Sequence, residues 1–348
     1  MQTGHLDLGE SELCDRLVHR GRILKHPDHY VWGCSPIYGP DGRVHVFYSR
    51  WPKESGWKGY ILDSEIAHAV ADSPEGPYEH ADEPVVLDGR PGDSAWDSYS
   101  IHNPEVHRVG DRYALLYYGS SVYNRNEILG KIGLAFADSL DGPWERNPEN
   151  PVVERGERGD WDSVAVNTPS LLQHPDGRFY IYYRAWTGRD GNVRNDKIGL
   201  AVADDLEGPY TKHPDSPVID PTRIELSSVT PAAARQVGLE DPCAFLADGE
   251  VHVLARDFGL SGGRADEPGK GLLFRSTDGV EFSHEPEIAY HEAEHYYDLT
   301  EEERRPRRYG RFERPKLLFD DGELTHLFNA IVGGDHSLST GHVFEITD

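Results

Sequence analysis

This chain of 348 residues has 61 acidic residues against 35 lysines and arginines, a formal net charge of -26. Simple repulsion therefore makes nucleic acid and anionic membranes poor partners. No stretch approaches the roughly 18 apolar residues of a membrane span, and the polar start Met1-Gln2-Thr3-Gly4-His5 lacks a signal-peptide core, so a soluble, cytoplasmic protein is expected.

In chain order, residues 1–29 read as an N-terminal extension, part helical. Ser11 caps a short helix through Arg20, with Leu13, Leu17 and Ile23 on its buried side. Such a segment suits either a cover over the main domain or a homodimer contact. The three cysteines, Cys14, Cys34 and Cys243, are odd in number and predict no disulfide framework. The many acids and few lysines also suit high salt, where screening removes self-repulsion.

From about residue 30 to the end the sequence repeats itself five times. The repeated stretches are Cys34-Ser35-Pro36-Ile37-Tyr38, His102-Asn103-Pro104-Glu105-Val106, Asn167-Thr168-Pro169-Ser170-Leu171, Glu240-Asp241-Pro242-Cys243-Ala244 and Glu313-Arg314-Pro315-Lys316-Leu317. Each is followed by a Gly-centred turn and an aromatic, β-branched strand, as at Asp111 to Tyr118. A third strand (Ile66 to Ala71, Ile132 to Ala137, Ile198 to Ala203) runs into near-identical turns such as Ser73-Pro74-Glu75-Gly76-Pro77-Tyr78. The fold class is therefore all-β: a five-bladed β-propeller over residues 30–348, one domain beyond the short N-terminal segment.

Before the second and third inner strands stand Trp96-Asp97-Ser98 and Trp161-Asp162-Ser163, which read as structural corners, with Asp97 also a candidate to reach the axis. Two insertions, Phe258 to Gly271 and Glu285 to Arg311, lie in the fourth repeat and before the fifth inner strand; in the second, Thr300 caps Glu301-Glu302-Glu303. Loops of this kind are placed by a rigid scaffold over the mouth of a propeller.

The first strand of every blade lines the axis, so its opening residues gather in a ring: Ser35, His102, Asn103, Asn167, Thr168, Glu240, Asp241, Glu313 and Arg314. A funnel so polar must be solvated, paired or used. Asp241 and Glu313 come from adjacent blades, and neighbouring carboxylates can supply an acid and a base at one pH; alternatively Arg314 and Arg256 neutralise them in a structural network. Arg50, Trp51, Arg184 and Trp186 end second strands at the mouth and offer stacking and hydrogen bonds to sugar hydroxyls or a carboxylate.

The inner-strand pattern, with Glu240-Asp241-Pro242 and Glu313-Arg314-Pro315 in successive blades, resembles the five-bladed propeller glycosidases of glycoside hydrolase families 43, 32 and 117. Arg311 to Phe319, followed by Thr325-His326-Leu327-Phe328-Asn329, is most similar to family 117 and its unassigned relatives. The resemblance implies exo-hydrolysis of a terminal sugar, with Asp241 as the tuning aspartate and Glu313 as general acid; family 117 instead implies a histidine from a loop, for which this chain offers His291 and His295. It departs in the first blade, where family 43 has its base aspartate and this chain has Ser35. Glu65, Asp97 and His102 are the remaining candidates to activate water, Glu65 because its counterparts Lys131 and Lys197 are basic. A wide spacing of acid and base would invert the anomeric centre.

Two other readings use the same ring. A lyase would have His102 or a tyrosine abstract a proton beside a uronic carboxylate neutralised by Arg314 and Arg256. A non-catalytic sugar-binding propeller would bind without turnover. His291-Glu292-Ala293-Glu294-His295 matches the zinc pattern His-Glu-x-x-His, but its loop setting argues against a metalloprotease. No cofactor is required, and a divalent metal near the axis stays open.

Overall fold

The computed structural model describes residues 8–85, 87, 96–121, 130–186, 196–224, 238–258, 269–298, 310–332 and 339–348. After a single helical turn α1 (Glu12–Asp15), the chain forms strand β1 (Leu17–Ile23). Blade one comprises β2 (His29–Tyr38), β3 (Val44–Pro52), β4 (Glu65–Ala71) and β5 (Glu79–His80). Blade two has β6 (Ser100–Val109), β7 (Arg112–Ser120), β8 (Lys131–Ala137) and β9 (Glu145–Arg146). Blade three has β10 (Ala165–Gln173), β11 (Phe179–Trp186), β12 (Lys197–Ala203) and β13 (Thr211–Lys212). Blade four has β14 (Gly238–Ala247), β15 (Glu250–Phe258), β16 (Gly271–Ser276) and β17 (Glu287–Tyr290). Blade five has β18 (Phe312–Asp320), β19 (Glu323–Val332) and β20 (Ser339–Ile346), and its outer strand is β1.

The expected five-bladed propeller is thus present, with one difference at the start. The helix predicted to reach Arg20 stops at Asp15, although Ser11 caps it as expected by accepting the Cys14 N–H. Leu17–Ile23 instead pairs antiparallel with β20, from Leu17 opposite Ile346 to Ile23 opposite Gly341. An open fifth blade would leave the edge of β20 unpaired, a larger cost than the helix propensity of the four residues, Leu17 to Arg20, that the expected helix shares with β1. This part of the segment named above for a dimer contact is engaged within the chain. The cap predicted at Thr300 lies outside the described residues.

The apolar core is divided among the five blade interfaces. Phe47 and Ile66 of blade one pack with Leu115 and Tyr117 of blade two, for example, and Tyr182 and Leu200 of blade three with Val253 and Leu272 of blade four. The repeated turns after the third strands share a hydrogen bond from the Gly N–H to the carbonyl three residues earlier and a cis Gly-Pro bond at Gly76-Pro77, Gly142-Pro143 and Gly208-Pro209.

Each inner strand carries a bulge, and the five bulges fix the register of the repeat. They fall between Trp32 and Ser35, His102 and Glu105, Asn167 and Ser170, Glu240 and Cys243, and Glu313 and Lys316. The first bulged residue has positive φ in every blade: Gly33, Asn103, Thr168, Asp241 and Arg314. Glycine takes this conformation freely, whereas threonine and arginine in it carry strain of the kind that collects at functional sites.

This register corrects the sequence alignment in blade one. The counterpart of Pro104, Pro169, Pro242 and Pro315 is Cys34, not Pro36, so Ser35 belongs three positions past the opening residue. There it aligns with Glu105, Ser170, Cys243 and Lys316. These residues form a belt around the axis in which the side chain accepts the N–H of the next blade at four of the five junctions. Val106 N donates to Ser35 Oγ (3.0 Å), Leu171 N to Glu105 Oε1 (2.9 Å) and Ala244 N to Ser170 Oγ (2.9 Å), and the Leu317 N–H bonds to the Cys243 thiol. At the fifth junction Lys316 has no acceptor to offer. The residue facing it there is Pro36, which has no N–H to donate. Lys316 instead crosses the channel to pair with Glu105.

Candidate active site

The opening residues of the inner strands converge on a pocket over the propeller axis. Trp32, His102, Asn167 and Glu240 line it from the first four blades at one register, with Asn103 and Arg314 from the bulges. On the second strands, alternation of side chains puts residues two apart on one face. Tyr118 and Arg184 thus enter the pocket from β7 and β11, and Trp51 and Trp186 enter two residues beyond that register on β3 and β11. The short helical turn Trp57–Ile61 adds Trp57 and Tyr60. Six aromatic rings therefore wall a pocket whose polar groups are imidazole, amides, arginines and a carboxylate.

Glu240 is the carboxylate that faces the pocket. It pairs with Arg184 Nη1 (2.7 Å) and with Arg256, the residue directly opposite it on β15. Arg184 also bonds Asp196 Oδ2 through Nε (2.6 Å). Burial alone would weaken both guanidinium charges, but Asp196 and Glu240 beside Arg184, and Glu240 and Glu313 beside Arg256, raise their pKa values.

Asp241 and Glu313 lie beside Glu240, each 1% exposed, and neither is among the residues that line the pocket. Oxygens of Glu240, Asp241 and Glu313 all come within 4.8 Å of one another. Asp241 pairs with the Arg314 guanidinium and accepts the Arg314 N–H (3.0 Å). Glu313 has Arg311 Nη1 at 3.9 Å. Burial brings the Arg314 pKa down to about 10, against the pull of Glu240, so Arg314 is still a cation at neutral pH. The three carboxylates could also hold a hard divalent cation through oxygen, with the arginines competing for the same oxygens.

Arg314 explains the first-blade departure. Its Nε donates to Asn103 Oδ1 (3.1 Å) across blade one, where the aligned residue is Gly33. A Cβ at Gly33 would meet Asn103 Oδ1 at 3.3 Å and Arg314 Cγ at 3.6 Å. The space for a first-blade carboxylate is filled by the Asn103–Arg314 bridge.

Of the three candidates for activating water, His102 alone lines the pocket. Its Nδ1 lies 2.7 Å from Ser64 Oγ, and burial, then Arg314, holds its pKa well below the ordinary imidazole value, so the ring is neutral. Glu65 pairs with Arg50 Nε (2.8 Å) on the opposite face of blade one, and neither lines the pocket. The equivalent lysines make similar pairs, Lys131 with Glu154 (3.0 Å) and Lys197 with Asp220 (2.7 Å).

Asp97 is a structural corner, as is Asp162. Asp97 accepts from Tyr117 OH (2.9 Å) and Arg146 Nε (2.8 Å), and Asp162 accepts from Tyr183 OH (3.3 Å) and Lys212 Nζ (2.5 Å). In both, the bonds to Oδ2 come from side chains of neighbouring strands. Asp97→Asn is expected to cost about 2 kcal/mol of stability with turnover unchanged, as read by denaturant unfolding beside an activity assay.

The remaining sequence candidates are also placed. Thr168 is buried, its hydroxyl donating to Asn167 Oδ1 (3.2 Å), and Ser35 belongs to the belt below the pocket. His295 is exposed on α2 (Ala293–Tyr296) after the outer strand of blade four, stacked on His291 at 4.2 Å, and is not among the pocket residues. Trp32, Trp57, Tyr60, Tyr118 and Asp196 were not singled out in the sequence. Tyr118 shares the register of Arg184, a signal available once the second strands are aligned.

With this geometry in view, the comparisons are consistent. A family 117 glycoside hydrolase from the marine bacterium Zobellia galactanivorans superposes with a TM-score of 0.67 at 19% identity, over 97% of this chain and 91% of that one. The fold is that of the propeller glycoside hydrolases. An endo-arabinase from Bacteroides thetaiotaomicron gives 0.56 at 13% identity, over 94% and 98%. By sequence, an extracellular endo-α-(1→5)-L-arabinanase of Thermotoga petrophila is 31% identical over 117 residues. That match spans 32% of this chain and 23% of the arabinanase. No protein-family model matches the chain.

Proposed function

We propose that this protein is a glycoside hydrolase that takes the terminal sugar of an oligo- or polysaccharide into the axial pocket and hydrolyses its glycosidic bond. The observation that carries this reading is the pocket itself, an aromatic-walled funnel over three clustered carboxylates with a neutral imidazole on its wall. Aromatic faces stack on the apolar face of a sugar ring, and the Glu240–Arg184 pair and Asn167 supply hydrogen bonds for its hydroxyls.

In this reading Glu313 protonates the leaving oxygen as the bond from the anomeric carbon breaks. His102 takes the proton of the attacking water, and Ser64 orients the ring. Asp241, locked to Arg314, fixes the position and charge of the neighbouring acid. Glu313 and His102 belong to blades separated by blade one, which leaves room for water and favours inversion.

Incubation with a panel of aryl glycosides and oligosaccharides tests the proposal: a product heavier by one water supports it, and an ultraviolet-absorbing unsaturated product would replace it with a lyase. Trp57→Ala is expected to raise KM roughly tenfold, the equivalent of about 1.4 kcal/mol of lost stacking, with kcat little changed. Unchanged KM would remove Trp57 from the sugar site.

A further inference from the structure

The His-Glu-x-x-His stretch is not used by the axial pocket, yet it meets the start of the chain. The Ser11 N–H and Oγ both donate to Ile288 O (2.9 and 2.8 Å), and the Ile288 N–H donates to Gly9 O (2.8 Å). Residues 9–11 thereby add to the outer strand of blade four before β1 closes blade five. At this seam His291 Nε2 lies 2.6 Å from Glu10 Oε1. One ligand atom from each of Glu10, Cys14 and His291 falls within 4.8 Å of the other two. His295, one helical turn on and exposed, stacks on the His291 ring.

We propose that Glu10, Cys14 and His291 form a binding site for a zinc-class cation that clamps the N-terminal segment to blade four, with His295 swinging in as fourth ligand. The donor set decides the class of ion: thiolate and imidazole select zinc over calcium or magnesium, which prefer all-oxygen shells. Ligand atoms this close need only small side-chain rotations to reach a tetrahedral shell of about 2.0–2.3 Å bonds. The backbone at His291 is held in place, its main-chain N–H donating to Tyr296 OH (3.2 Å). Glu10 and His295 are exposed, so the ion has a way in from solvent. Binding forms a sulfur–metal bond and releases the thiol proton to solvent. Because His291 and Cys14 are nearly 280 positions apart, the clamp would act on closure of the propeller and not on the axial chemistry.

The test uses the full chain, stripped with chelator, dialysed and titrated with zinc chloride or cobalt chloride. The expected result is one zinc retained per chain beyond any held at the axis, a Tm raised by several degrees, and a thiolate-to-cobalt charge-transfer band. Cys14→Ser should abolish the band and the Tm rise; Glu10→Gln, at an exposed position that does not threaten folding, should weaken zinc binding at least tenfold. Sugar turnover should be unaffected in both. Absence of a thiolate band, or equal zinc retention in wild type and Glu10→Gln, would overturn the proposal.

Discussion

Glu313→Gln is expected to lower kcat/KM by about a thousandfold, within the range that a positioned general acid contributes, while binding of the sugar changes little and the Tm falls, because buried Arg256 loses one of its neighbouring carboxylates. The amide keeps the size of the carboxyl and can still bond its neighbours, so the loss isolates proton donation. The measurement is steady-state kinetics on a substrate found by the panel, with the Tm read beside it. An aryl glycoside with a good leaving group should recover much of the lost rate, because its departure needs little protonation. A variant that keeps a third or more of wild-type turnover on a natural glycan would assign the acid to another residue, with Glu240 the next carboxylate to examine.

The largest expected effect on stability lies below the pocket. Lys316 and Glu105 are paired across the channel with side chains 6% and 5% exposed. Glu105 also accepts from Ser170 Oγ (3.0 Å) and Leu171 N (2.9 Å), and His107 Nε2 lies 2.6 Å from it. Lys316→Met should cost roughly 3–5 kcal/mol, because it leaves a buried carboxylate without its cation. Adding Glu105→Gln should restore much of that loss, since the belt bonds survive and the stranded charge is gone. Urea unfolding of the two single variants and the double variant reads this directly; a double variant as unstable as Lys316→Met would mean that packing, not charge, sets the cost.

The same pair predicts an acid limit. Burial raises the Glu105 pKa, but Lys316 and then His107 outweigh it and hold the carboxyl at about 2, against an ordinary 4.5. A depressed carboxyl pKa stabilises the folded state above the unfolded value and ceases to do so as pH falls through the folded one. This contribution is therefore complete above about pH 5 and disappears between about 4.5 and 2. In Glu105→Gln that part of the acid sensitivity should be missing from a Tm profile over this range.

The propeller was legible because its repeat is written in local chemistry: Gly-Pro turns, aromatic and β-branched strands, and a proline in each repeated inner-strand stretch. The first blade misled the alignment for a physical reason. Lys316 cannot accept a hydrogen bond, so the fifth junction of the belt suits an imino residue at 36, and that proline imitates the repeat two positions late. The helix expected through Arg20 failed because its last four residues, Leu17 to Arg20, belong to the strand that completes a sheet, a long-range demand that local capping does not encode.

In the site, His102, Asn103, Asn167, Glu240 and Arg314 were found because they flank the prolines. Trp32 stood outside the misaligned repeat, and Tyr118 is conspicuous only when β7 is set against β11. Glu65 drew attention as an acid among lysines, but the position carries an ion pair in each of the first three blades, whichever sign it has. Asp97 could not be separated from the ring by sequence, because its tyrosine and arginine partners are 20 and 49 positions away.

Hydrolysis adds water to a sugar held in the axial pocket. The most direct measurement is the mass of the products formed in oxygen-18 water by wild type and by Glu313→Gln. The predicted result is one heavy oxygen at the new reducing end with wild type and almost none with the variant. An unlabelled unsaturated product, or binding of sugar with no product from either protein, would contradict hydrolysis as the function of this site.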